Sequence, residues 1–155
     1  MGRVAGTPEG NQHRPVIEVT LRYAGRSIPV RALVDSGADF TTIPRQLGEL
    51  LTGLAFDQIG VASGNIEGMG APTPSRRLDG VEGAYMGRVF ATSIFVGQAP
   101  RVVLGRNDFM RTFDLRFFWG HNPPELWIEP TQPAKARTTR PPLNTTIRPK
   151  PKKKR

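Results

Sequence analysis

The segment Val16–Tyr23, VIEVTLRY, alternates apolar and polar side chains with period two, and this pattern constrains the fold more than any other stretch of the chain. Such a strand buries one face and wets the other. Ala24, Gly25 and Arg26 then make a turn, and residues 27–34, SIPVRALV, return as the second strand of a hairpin. The return strand ends in Ala32, Leu33 and Val34, apolar on both faces, so it runs into the core. Asp35 follows at once. A lone carboxylate taken out of water is costly unless something compensates it. Asp35 therefore either belongs to a solvated turn or is held at the strand's end for chemistry.

A chain of 155 residues has room for one core. No apolar run approaches the ~20 residues that span a bilayer. The opening MGRVAGTPEGNQHRP lacks the apolar stretch of a secretory signal, and Gly6 stands where a myristoylation signal wants Ser or Thr. With no cysteine, thiol catalysis, disulfides and Cys-based zinc sites are excluded. Only His13 and His121 are present, which argues against a histidine metal site or a Ser-His-Asp triad, so neither metal nor cofactor is expected. The expected location is intracellular: cytoplasmic, or nuclear in a eukaryote given the closing PKPKKKR.

The net charge of +9 is unevenly placed. Residues 131–155 hold nine of the 22 Lys and Arg and none of the 13 acids, so the first 130 residues are electrically balanced. Five prolines and that charge preclude a core in 131–155, which reads as a disordered arm able to bind nucleic acid or another polyanion, or simply to solubilise the chain. Residues 1–14 read as a loose polar lead, leaving 15–130 as the folded domain.

Within that domain, PRQLGELLTG (44–53) reads as a helix. Pro44 sits near its start, Leu47, Leu50 and Leu51 share a face, and Gly53 stops it. Small residues, glycine and proline dominate residues 56–79, where VASGNIEG (61–68) resembles a hairpin with Gly64 at its tip. Residues 84–97 read as a strand. Residues 102–104 form a short buried strand that passes through Gly105 into a helix with Phe109, Met110 and Phe113 on one face, and ELWIEP makes a last strand. Phe113, Phe117, Phe118, Trp119 and Trp127 read as core and interface rather than a base-stacking platform. Glu67 and Asp79 read as solvated charges, and neither histidine is given a role.

Asp35-Ser36-Gly37 alone is a common turn sequence. Its context is more specific, because it continues into Ala38-Asp39 and is answered about 70 residues later by Val103-Leu104-Gly105-Arg106-Asn107. These two motifs resemble the retropepsin family, the single-domain aspartic proteases of retroviral type. Their active-site loop reads D-[ST]-G-A-[DS], and their second signature is an apolar pair followed by G-R-[ND]. The resemblance covers about residues 16–130 and looks closest to bacterial retropepsin-like proteins.

The resemblance implies an all-β closed barrel with one or two short helices, acting as a homodimeric aspartic endopeptidase on peptide or protein substrates. Hydrolysis needs a base for water and an acid for the carbonyl oxygen or leaving nitrogen. Two carboxylates about 3 Å apart share one proton and supply both. With a single D-[ST]-G, this chain would need Asp35 from each of two copies. By the same resemblance, Ser36 cross-braces the two loops, Gly37 allows close approach at the axis, and Ala38 and Asp39 line the substrate cleft. Gly64 tips the flap (with 79–85 the rival position), and Gly105 and Arg106 support the loop, Arg106 pairing with Asp39. ELWIEP is the expected dimer strand. The alternative reading is a non-catalytic dimerisation and peptide-docking module with a polyanion-binding tail.

Overall fold

The computed structural model describes residues 2–9, 12–66 and 72–131. In chain order the strands are β1 (Gly2–Ala5), β2 (Thr7–Glu9), β3 (Gln12–Arg14), β4 (Val16–Tyr23), β5 (Arg26–Val34) and β6 (Thr42–Pro44). Helix α1 (Arg45–Thr52) and a 3-10 turn (Phe56–Gln58) follow, then β7 (Val61–Ile66), β8 (Thr73–Tyr85), β9 (Arg88–Gly97) and β10 (Val102–Leu104). Helix α2 (Phe109–Thr112), β11 (Phe113–Phe118) and β12 (Glu125–Pro130) complete the described residues. No helix among them is long and apolar enough to cross a membrane.

Six strands close into a barrel in the order β4-β5-β10-β6-β9-β8, sealed by β8 pairing back onto β4 from Thr20↔Ala84 to Arg22↔Glu82. The period-two pattern is realised as expected: Ile17, Val19 and Leu21 point into the core while Glu18 and Arg22 are exposed. On β5, Val30, Ala32 and Val34 are buried, whereas Leu33, on the opposite face, is only half-buried. Strand β10 lies between β5, to which it is parallel, and β6, so Val102, Val103 and Leu104 are all buried. Each such side chain contributes about 1.5–3 kcal/mol by leaving water. Phe109 and Phe113 stack at 4.8 Å, and the rings of Tyr85 and Phe90 meet them edge-on at 5.5–6.2 Å.

A second, three-stranded sheet, β1-β12-β11, packs on the barrel through Leu126, Ile128 and Phe113. This corrects three sequence expectations. Residues 2–9 and 12–14 are not a loose lead: β1 pairs with β12 from Gly2↔Ile128 to Ala5↔Glu125, and β2 pairs with β3. Strand β11 begins at Phe113, where a helix face was expected. β12 lies at the centre of its sheet with both edges already paired, so any strand added by a second copy must use the outer edge of β1 or β11.

The remaining differences are local. Residues 84–97 contain a hairpin turn at Met86 and Gly87, between β8 and β9. Helix α1 forms where expected, with Gly53 as its left-handed C-cap, yet Leu50 is exposed while Leu51 is buried and Leu47 packs on the core. Residues 132–155 and Glu67 lie outside the described residues, so the arm expected there is not described.

Candidate active site

Strand β5 delivers Asp35 to the barrel's rim, where its backbone N–H donates to the Leu104 carbonyl (3.2 Å) at the end of β10. The carboxylate is half-buried, with Oδ1 accepting from the Gly37 N–H at 2.8 Å. This closes the tight turn that an Asp-x-Gly sequence favours. The next residues are stitched to the segment after β10. Arg106 N–H donates to the Ala38 carbonyl and Asn107 N–H to that of Asp39, both at 2.9 Å. The two motifs singled out in the sequence are thus one hydrogen-bonded unit.

Gly105 is what lets them cross. A Cβ there would lie 2.5 Å from the Phe40 nitrogen and 2.7 Å from the Asp39 carbonyl carbon, and backbone cannot yield at such distances. Gly37 differs, since a Cβ would meet only the Asp35 carboxylate, at 3.1 Å for Oδ1. Among the described residues, the crowding at Gly37 thus comes from that one side chain and not from backbone. Ser36 and Asp39 are exposed and Ala38 is half-buried.

Asp39 and Arg106 form the expected ion pair, Nη2 to Oδ1 at 2.5 Å, with both side chains more than half exposed. The acid carrying the buried load is one that sequence reasoning assigned no role. Asp108 is 7 % exposed; its Oδ2 accepts from the Thr41 N–H (3.2 Å) and the Thr92 hydroxyl (2.5 Å), and its Oδ1 accepts from the Phe109 N–H (2.6 Å). It caps α2 and fixes the outgoing end of the Asp35 loop. Its place directly before a helix was the available signal.

Gly64 is not the tip of a hairpin. It lies inside β7 at a bulge between Ala62 and Asn65, with φ of 77°, and its carbonyl accepts from the Ser75 hydroxyl. The β7–β8 pairing continues to Ile66↔Thr73, and residues 67–71 between them lie outside the described residues. The rival flap position, 79–85, lies within β8.

Beside Asp35 opens a cleft of about 660 Å³. It is lined by residues 33–36 from the end of β5, by His13, Arg14 and Pro15, and by Phe117, Trp119 and Pro124. Leu33's half-buried face is thereby explained. Among the described residues no cluster of metal-ligating side chains occurs.

No family model matches the sequence, and no curated protein matches it. Among solved structures the chain is similar to the EIAV protease complexed with the inhibitor HBY-793, at 22% identity and a TM-score of 0.48, covering 65% of this chain and 89% of that one. The fold is an all-β closed barrel with short helices, the architecture the sequence led us to expect.

Proposed function

We propose that the protein is an aspartic endopeptidase of the retropepsin kind, in which Asp35 works together with Asp35 of a second copy. One observation carries the reading: a carboxylate stands at the rim of a closed barrel, on a loop sewn to the Leu104–Asn107 segment by three backbone hydrogen bonds. A solvated turn has no need of that bracing. Positioned acids and bases contribute to catalysis in proportion to how well they are held. In the reaction, one carboxylate takes a proton from water as the water attacks the scissile carbonyl. The other gives its proton to the carbonyl oxygen, and collapse of the tetrahedral species transfers a proton to the leaving nitrogen.

Peptide would enter between this site and the β7–β8 hairpin, the candidate flap. Ser36, Ala38 and Asp39 would face the partner loop or the substrate. The basic segment 131–155 would bind polyanions independently of catalysis. Incubating the purified chain with a denatured protein mixture tests the reading: cleavage is expected from the native chain and none from Asp35→Asn at equal concentration. Equal cleavage by both would overturn it. No cleavage by either, with the dimer assembled, would favour a docking module instead.

A further inference from the structure

The loop that begins at Asp35 runs on to a second groove, of about 420 Å³, for which the catalytic reading has no use. Phe40 lines it, 45% exposed, with its ring 5.1 Å from that of half-buried Phe95. Gly80 lines it from the bulge in β8 between Leu78 and Val81, where a Cβ would meet nothing within 4 Å. Two exposed polar side chains, Asn107 and Arg111, line it as well. Among the described residues the Arg111 guanidinium has no hydrogen-bond or ion-pair partner.

The acids in and beside this groove are already engaged. Both oxygens of Asp108 are taken by the three donors named above, the Thr92 hydroxyl among them. Asp79, next to Gly80, pairs with Arg77 at 3.2 Å and accepts a hydrogen bond from the Ser93 hydroxyl. The groove therefore offers a ligand an aromatic face and unengaged donors.

We propose that this groove is an outlying subsite for the substrate peptide, where Arg111 holds a glutamate or aspartate side chain against the Phe40 ring. The inference rests on the proposed endopeptidase and concerns residues beyond those flanking the cut bond. Five residues of chain lead from Asp35 to Phe40, and they span at most about 18 Å. An extended peptide advances about 3.3 Å per residue, so a side chain within about six positions of the scissile bond reaches Phe40. There charge decides which side chain stays. A guanidinium binds a carboxylate through two parallel N–H donors, and the Asn107 amide can add a third. The methylene stem of a glutamate packs on the Phe40 ring, which Phe95 backs. A lysine there would meet a like charge, and the one carboxylate in the lining is already held by three donors.

Digesting a degenerate library of peptides about fourteen residues long with the full chain, and sequencing the products, reads the preference at every position at once. Acidic residues should be enriched at one position about three to six residues from the cut bond. Arg111→Gln should erase that enrichment, and Arg111→Glu should replace it with lysine and arginine, with the residues flanking the bond unchanged. For a peptide carrying the acid, Arg111→Gln should raise KM about tenfold at constant kcat. Identical profiles from the native and Arg111→Glu chains would overturn the subsite and leave the endopeptidase standing. If the native chain cleaves nothing, the endopeptidase fails, and the library peptides retained by the Asp35→Asn chain decide the groove. The basic segment 131–155 is common to every variant, so only differences between variants count. Retention of acidic peptides that Arg111→Glu reverses in that background would keep the groove as a docking site; equal retention would overturn it.

Discussion

Asp39 and Asp108 both serve the loop that follows Asp35, and their surroundings assign them unequal energies. The Asp39–Arg106 pair is exposed, and such pairs are worth about 0–1 kcal/mol, because water screens the charges and two long side chains lose freedom. Asp39→Asn should therefore cost no more than that in chemical denaturation of the single chain. Asp108→Ala removes the acceptor for two backbone donors and a hydroxyl in a buried setting, where each stranded donor costs about 1–3 kcal/mol. It should be clearly the more destabilising change, and the reverse ranking in urea midpoints would refute this assignment. Gly105→Ala should abolish cleavage and lower stability together, since its Cβ would lie 2.5 Å from the Phe40 nitrogen; a Gly105→Ala protein with native activity would refute the crossing. The ion pair was legible because a motif joins its members. Asp108's weight was not, because burial by Thr41 and Thr92 belongs to the assembled barrel rather than to local spacing.

The three-stranded sheet shows most plainly what local reading misses. β1 carries no strand pattern of its own, and its order comes from hydrogen bonds to β12, whose sequence lies over a hundred residues away. On this sheet Arg3 donates to both oxygens of Glu125 at 2.6 and 2.7 Å and lies over the Trp127 ring, while Trp127 Nε1 donates to Glu125 at 3.0 Å. The Arg3 hydrogen bonds first, then that of Trp127, pull the Glu125 carboxyl from 4.5 down to about 2, with the Arg3 charge and the His121 contact adding to them against a smaller opposing effect of burial. A carboxyl depressed on folding adds stability above its unfolded value and loses it as pH falls toward its folded value. The melting temperature should accordingly fall between pH 4.5 and 2 more steeply in the native chain than in Glu125→Gln. Parallel pH profiles would show that the cluster does not couple to folding. By contrast, α1 and the β4–β5 hairpin were readable because their partners are their own neighbours in sequence.

For the molecule as a whole, alternation along β4 and β5 announced a sheet, but not that β8 would return to β4 and close it. Closure depends on a 13-residue strand that glycine and proline disguised as loop. The body also extends one residue beyond the expected boundary. Thr131 N–H donates to the Thr112 carbonyl at 2.9 Å, and its hydroxyl reaches Asp114. Truncation after Thr131 should therefore keep the fold and any peptide cleavage while abolishing salt-sensitive binding to a polyanion such as heparin, which nine positive charges support by releasing counterions. Loss of the cooperative melt in that variant would show that the basic segment is part of the folded unit.

The stitching of the Asp35 loop to Leu104–Asn107 also has a consequence in time. A ribosome that has released Asp35 must add about 70 further residues before the braces of that carboxylate exist, and Gly2–Ala5 waits longer still for Ile128. Contacts so distant in sequence form late, since the intervening chain must first be gathered. Whatever Asp35 does, a half-made chain cannot yet do it, so the protein's own order of synthesis guards the nascent polypeptide against its premature action.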